Sequence, residues 1–374
     1  MHGGDVYRNQ VELDFSVNVN PLGMPEGVRD ALVRGIDAAG NYPDPFCEEL
    51  REKLAAHFCG SAGRESAAGQ ESAAERENVE GHGLTAENVL CGNGASELLL
   101  SVCRWNDPDA ALLLAPGFSG YQKALEACGC QPEYFALREE EGFGLPGERF
   151  AALCEKVLEM KPGLLFIANP SNPAGTLLSG KLMTKLATCC KKAGTTLVID
   201  ECFMELTADP AGYSMVNGLL EHENVLILRA FTKSFAIPGI RLGYLLCPKK
   251  ETAREIARQL PEWNVSVPAQ LSGLAALRDE EWLRRARRLI AQERCFLAGK
   301  LAGMGIRTYE SAANFLLFRC GEEKLFEKLL GKGILIRDCR DYPGLGRGYY
   351  RIAVKTRKEN ETLLRNVQEA LRKA

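Results

Sequence analysis

The segment Phe231-Thr232-Lys233-Ser234-Phe235 sets one lysine among apolar and small residues. Burial there would lower the amine's pKa and make it nucleophilic, as a Schiff-base lysine must be. Arg241 follows, in Pro238-Gly239-Ile240-Arg241-Leu242-Gly243. With Thr232 it offers a guanidinium and a hydroxyl, types suited to a phosphate. Cys91-Gly92-Asn93-Gly94-Ala95-Ser96 is a turn of small residues between a strand candidate and a helix candidate. Backbone N–H groups at such a helix start can approach an anion, although the Walker pattern is missing. Asn169-Pro170-Ser171-Asn172-Pro173-Ala174-Gly175 carries two Asn-Pro steps, which make a rigid turn. Asp200 closes the apolar run Val198-Ile199, where a carboxylate is either exposed at a sheet edge or paired with a cation. Taken singly, each piece is also what an ordinary turn, a surface lysine or a strand end produces.

These residues need a frame that brings them together. Short apolar runs at 88–91, 110–115, 133–137, 164–168, 196–200, 224–228 and 243–247 read as strands. Helix candidates at 95–105, 121–128, 148–160 and 179–192 lie between them. The alternation predicts an α/β fold with a mainly parallel seven-stranded sheet in a large domain. Lys233, Asp200 and Asn172 would then stand at the carboxyl ends of strands, where sites of such sheets assemble. Beyond about residue 248 the texture changes. Helical stretches at 251–260, 280–301, 322–330 and 359–372 mix with strand-like 314–318, 334–336 and 350–354. The expected organisation is an N-terminal arm and part of a small domain over 1–40, a large domain over 41–250, and a small α+β domain over 251–374. Residues 60–83 are mostly Gly, Ala, Ser, Glu and Arg and cannot add much to a core. They read as a mobile surface insertion or a short exposed helix.

Composition narrows the function classes. The chain has 374 residues, enough for a large core without staples. With 46 Lys plus Arg against 49 Asp plus Glu, the net charge of −3 argues against a nucleic-acid binder held by bulk charge. No apolar run approaches the ~18–20 residues of a membrane span. The first residues lack a basic head and an apolar stretch, so no export signal and a cytoplasmic location are expected. There are 14 cysteines but no CxxC, and the four histidines are scattered. Reduced buried thiols are the expectation, with a redox or metal role as the alternative; no metal site is expected.

The order of the four pieces is specific: a Gly-rich turn, Asn-Pro-x-Asn-Pro-x-Gly, a strand-ending Asp, then Thr-Lys with an Arg downstream. It resembles the fold-type-I pyridoxal-phosphate enzymes of the aminotransferase class I/II superfamily, over nearly the whole chain. The resemblance implies pyridoxal 5'-phosphate as cofactor. Lys233 would attach it and shuttle protons, and Asp200 would pair with the ring nitrogen. Asn172 would bond the ring oxygen, and Phe118 would stack on the ring. Gly94, Ala95, Thr232 and Arg241 would hold the phosphate. Tyr42, in Asn41-Tyr42-Pro43, would reach the phosphate in a partner subunit, which implies a homodimer. Arg351 would grip the substrate α-carboxylate.

Within the superfamily the chain is similar to the threonine-phosphate decarboxylases, related to the histidinol-phosphate aminotransferases. Stretches such as Leu13-Asp14-Phe15-Ser16-Val17-Asn18-Val19-Asn20 and Ile334-Leu335-Ile336-Arg337-Asp338-Cys339 carry that likeness. Phe203 stands where aminotransferases usually have a tyrosine that donates to the ring oxygen, which favours the decarboxylase. The implied substrate is a phosphorylated amino acid, L-threonine O-3-phosphate, decarboxylated in cobalamin biosynthesis. Arg337 would bind its phosphate, with Asn20 and His2. Histidinol-phosphate transamination with 2-oxoglutarate is the alternative. Regulators sharing the fold add an N-terminal DNA-binding domain, for which a pattern starting at His2 is expected to leave no room.

Overall fold

The computed structural model describes residues 3–65 and 83–372, the side chains of 60–65 excepted. A short strand β1 (Leu13–Asp14) is followed by β2 (Val89–Gly92), β3 (Ala111–Ala115), β4 (Glu133–Ala136), β5 (Leu164–Ala168), β6 (Thr196–Asp200), β7 (Val225–Ala230) and β8 (Gly243–Leu246). Five more follow: β9 (Arg307–Thr308), β10 (Phe315–Arg319), β11 (Ile334–Leu335), β12 (Arg337–Asp338) and β13 (Tyr349–Ala353). Four helices matter for the site's frame: α1 (Glu26–Asp37), α2 (Glu48–Glu65), α3 (Ala95–Asn106) and α4 (Ser119–Glu126).

Strands β2 to β8 form one sheet in the order β2-β8-β7-β6-β5-β3-β4. β4, β3, β5, β6 and β7 run parallel, while β8 is antiparallel to both β7 and β2. This is the α/β, mainly parallel seven-stranded arrangement expected. The reason is in the strands themselves. Parallel strands are covered on both faces and so read as continuous apolar runs. Successive side chains point to opposite faces. Leu165, Ile167, Leu197, Ile199, Val225 and Ile227 enter one core, and Phe166, Val198, Leu226 and Leu228 enter the other.

A four-stranded antiparallel sheet, β12-β13-β10-β9, forms a separate layer with its own apolar core around Phe15, Leu316, Phe318, Tyr350 and Ile352. The N-terminal arm joins this layer: Leu13 pairs with Ile334, and the Ala353 N–H donates to the Phe15 carbonyl at 2.8 Å. Helix α2 runs on to Glu65, so the first residues of the 60–83 stretch are helical. The remainder of that stretch, except Gly83, lies outside the described residues, as does His2. No helix among the described residues is long and apolar enough to cross a membrane. All 14 cysteines are free thiols, and eight of them are buried.

Candidate active site

A cleft of about 290 Å³ opens at the carboxyl ends of β5, β6 and β7. It gathers Ala95, Phe118, Asn172, Asp200, Thr232, Lys233, Arg241, Arg337 and Arg351. These residues come from motifs more than 250 positions apart in the chain. Arg337 and Arg351 reach the cleft from β12 and β13 of the four-stranded sheet, the others from the large sheet and the elements that follow its strands.

Lys233 sits in the short helix Phe231–Ser234 that follows β7. Its amine has no hydrogen bond or ion pair with the described residues. Burial, then the positive charges of Arg351 and Arg241, pull its pKa down to about 8. The backbone beneath it is clamped by Asn20. The Asn20 N–H donates to the Lys233 carbonyl at 2.9 Å, and its Nδ2 donates to the Ser234 carbonyl at 2.7 Å. Its Oδ1 accepts from the Leu22 N–H at 3.0 Å. Asn20 is buried and bonded on both ends of its amide, and the cleft lining does not include it. It holds the turn that carries Lys233.

Asp200 ends β6 and faces the cleft. Its Oδ1 accepts from the Cys202 N–H at 2.9 Å and its Oδ2 from the Tyr121 hydroxyl at 2.6 Å. Burial and the neighbouring Asp200 charge push the Tyr121 phenol well up, so it stays protonated and donates. Tyr121 lies one helical turn after Phe118, and the rings meet edge-on at 5.4 Å. The i, i+3 spacing was the available signal for Tyr121. Removing the hydroxyl should cost about 0.5–1.5 kcal/mol at Asp200. Tyr121→Phe is thus expected to weaken cofactor retention severalfold, measured by absorbance after dialysis. Retention equal to the parent protein would refute that role.

Gly94 is the N-cap of α3 at φ 77°, a left-handed conformation that favours glycine. A Cβ there would lie 2.4 Å from Arg241 Nη2. Gly94 thus lets Arg241 reach the positive end of α3, making a cationic cradle with Thr232. The Gly94 N–H donates to the Gly92 carbonyl at 2.7 Å. The N–H groups at the helix start that are open to an anion are those of Ala95 and Ser96. Gly120 is a second close approach: a Cβ there would meet the Phe118 ring at 2.3 Å.

Arg351 is buried. It donates to Asn172 Oδ1 at 2.5 Å, to the Ser16 carbonyl at 2.9 Å and to the Tyr342 hydroxyl at 3.5 Å. The Asn18 carboxamide lies 3.3 Å from its Nη1 and Nε. Among the described residues no carboxylate pairs with it. Arg337 is also buried, but its Nη2 bonds Asp341 at 2.8 and 3.0 Å. Tyr42 is 80% exposed, leans on Trp263 at 4.8 Å and does not line the cleft. Ser16, Asn18, Tyr121, Cys202 and Tyr342 line it too, without having been given roles from the sequence.

The Lys233 amine gives a direct test. At pH 7 an amine with a pKa of about 8 is roughly one-tenth free base, about 300-fold more than an ordinary lysine. Cofactor-free protein should therefore be acylated fastest at Lys233, with a midpoint near pH 8 by mass spectrometry. The linkage sign is also fixed. The folded amine loses its proton near pH 8 and the unfolded one near 10.5. The unfolded state binds more protons between those values, so this group favours folding increasingly as pH rises from 8 to 10.5. An acylation midpoint above pH 10 would contradict the site's electrostatics.

The fold and the cleft define a class. Residues 10–367 match the family model for aminotransferase class I and II, and the chain belongs to that family. It is 33% identical over 362 residues to a threonine-phosphate decarboxylase of Salmonella typhimurium, covering 96% of this chain and 91% of that protein. It is 29% identical to an adenosylcobalamin biosynthesis bifunctional protein of Leptospira interrogans, over 94% of this chain and 38% of that longer one. Among solved structures, a histidinol-phosphate aminotransferase from Clostridium acetobutylicum superposes with a TM-score of 0.81 at 27% identity, covering 96% and 98% of the two chains.

Proposed function

We propose that this chain is a pyridoxal-phosphate-dependent lyase that decarboxylates L-threonine O-3-phosphate to (R)-1-aminopropan-2-yl phosphate and CO2, a step of cobalamin biosynthesis. One observation carries the reading: Arg351, a buried cation with no carboxylate partner among the described residues, lies opposite Arg337 in the cleft that holds Lys233. A buried unpaired charge is costly, and a carboxylate of the substrate would relieve that cost. The relatives from Salmonella and Leptospira support the same reading.

The residues present fit the cofactor. An amine of lowered pKa without a partner, a carboxylate at a strand end and a cationic cradle at a helix start supply its three binding needs. Lys233 would hold it, Asp200 would face its ring nitrogen, and Ala95, Ser96, Thr232 and Arg241 would hold its phosphate. Phe118 would cover the ring. Asn172 has spent its Oδ1 on Arg351, leaving Nδ2 to donate to the ring oxygen. When bound, pyridoxal phosphate supplies an electron sink for the bond broken at Cα. Arg337 binds the substrate phosphate, and Arg351 holds the carboxylate end. Lys233 Nζ would return a proton to Cα after CO2 leaves. Phe203, edge-on to Phe315 at 5.1 Å, offers no hydroxyl to the site.

The reading extends to a cytoplasmic homodimer divided as 1–40, 41–250 and 251–374. Tyr42 is exposed and leans on Trp263, as a residue completing a partner's phosphate site could be. The free thiols agree with a reducing compartment. The deciding experiment incubates holoenzyme with threonine phosphate. CO2 release without any oxo acid is expected. A strict need for 2-oxoglutarate, with histidinol phosphate as amino donor, would overturn the reading in favour of the aminotransferase.

A further inference from the structure

Strands β12 and β13 pair antiparallel with Arg337 directly opposite Arg351. Residues in such register have Cα atoms about 4.5–5.5 Å apart and project from the same face. Two like charges there repel, and both of these are buried. Something must hold the guanidinium groups apart in fixed directions.

Tyr342 touches both. Its ring centroid is 5.1 Å from the Arg337 guanidinium carbon, and its hydroxyl is 3.5 Å from Arg351 Nη1. The ring is 7% exposed, lines the cleft and is packed into the main apolar core. Its backbone is pinned as well. The Tyr342 N–H donates to the Cys339 carbonyl at 3.0 Å, and the Leu345 N–H donates to the Tyr342 carbonyl at 3.0 Å. Its neighbour Asp341 pairs with Arg337. Arg351 is held by different partners, Asn172 and the Ser16 carbonyl.

We propose that Tyr342 is a positioning residue that sets the separation between the Arg337 and Arg351 guanidinium groups, and thereby the distance between the two anionic ends of the substrate the cleft accepts. The inference rests on reading those arginines as the phosphate and carboxylate binders. An aromatic side chain suits the task because it has only two rotatable bonds and takes a cation on its face and a donor at its edge. Without the ring, Arg337 keeps its charge and its Asp341 partner but loses its fixed direction. Selectivity for substrate length would then fall, while cofactor binding would not.

The test is a titration of holoenzyme with O-phosphoserine, O-phosphothreonine and O-phosphohomoserine, which differ in the carbon chain linking the anionic ends or in its methyl branch. Binding is read from the cofactor's absorbance, so it needs no turnover. The parent protein should prefer phosphothreonine to phosphohomoserine. In Tyr342→Leu that preference should shrink by about 3- to 30-fold, the equivalent of one cation–π contact. Cofactor content should stay within about twofold of the parent, and the affinity for unphosphorylated threonine should fall less than that for phosphothreonine. Tyr342→Phe keeps the ring and should retain the preference. If Tyr342→Leu does not fold, Tyr342→Met carries the same expectation. An undiminished length preference in the leucine or methionine variant overturns the proposal. So does a parallel loss for all ligands, including plain threonine, because that marks a merely structural role. Binding with the expected length preference but no CO2 release from phosphothreonine would instead overturn the proposed function and leave the role of Tyr342 standing.

Discussion

Protein carrying Lys233→Ala is expected to bind pyridoxal phosphate only as a free aldehyde, without the yellow, borohydride-reducible link expected of the parent protein. Three features support this. Lys233 is an amine in the cleft without a partner among the described residues; its pKa is pulled down to about 8; and the cradle of Arg241, Thr232 and the α3 start lies in the same cleft. An alanine leaves that cradle intact, so the phosphate should still bind, with affinity reduced by the loss of the covalent link. Turnover should fall much further. Loss of the positioned amine alone removes a proton donor worth about 10²–10⁴ in rate. Reduction by borohydride followed by peptide mapping decides the matter. A reducible adduct of normal stoichiometry on another lysine of the alanine variant would mean that Lys233 is not the attachment point.

The contrast between what the sequence exposed and what it hid has physical causes. β5 and β6 coincide with their expected ranges because fully buried parallel strands leave an unbroken apolar run. β7 extends two residues past the expected end, through Arg229 and Ala230. Arg229 reads as a stop in the pattern, but it is buried against Glu201 in a 2.6 Å ion pair, and a paired charge need not end a strand. Helix α1 went unrecognised; it packs so closely on Pro268 that a Cβ at Gly35 would lie 2.6 Å from it. Such an intersegment contact leaves no local signature.

The site divides in the same way. Lys233, Asp200, Asn172 and Arg241 announce themselves by residue type at motif positions, and the fold brings them together. Asn20 belongs to an equally suggestive stretch, yet its amide bonds the Ser234 carbonyl and the Leu22 N–H. Whether an amide faces ligand or backbone depends on a tertiary contact across more than 200 residues, which spacing cannot report. Tyr121 and Tyr342 show the converse. Each is an ordinary aromatic in the sequence and gains significance only from the carboxylate or guanidinium beside it.

The two arginines proposed to hold the substrate, Arg337 and Arg351, should fail in different ways. Truncating one partner of a buried charge pair costs on the order of 2–5 kcal/mol. Arg337→Ala should therefore lower kcat/KM for threonine phosphate by roughly 30-fold to a few thousand-fold. Unphosphorylated threonine has nothing for Arg337 to hold and should lose far less. The structural cost should be small, because Asp341 is exposed and water can replace the guanidinium. Arg351→Ala should damage both substrates, since both carry the α-carboxylate. It should also destabilise the protein. Asn172 Oδ1 and the Ser16 carbonyl lose their buried donor, at about 1–3 kcal/mol for each group left unsatisfied. The Lys233 amine would lose the repulsion of a nearby cation, so its pKa should rise from about 8. The chemistry adds a further asymmetry. Carboxylate charge disperses as CO2 departs, so an arginine that grips the carboxylate stabilises the ground state more than the transition state. The phosphate contact must then supply the energy that holds the carboxylate out of the cofactor plane, a cost recovered as the Cα bond breaks. Arg337→Ala should consequently depress kcat as well as raise KM, whereas a contact of uniform strength would alter KM alone. Both variants need to be assayed on both substrates, with melting temperature recorded. Equal losses on phosphorylated and plain threonine for Arg337→Ala would remove the phosphate anchor, and with it the main reason for assigning this substrate.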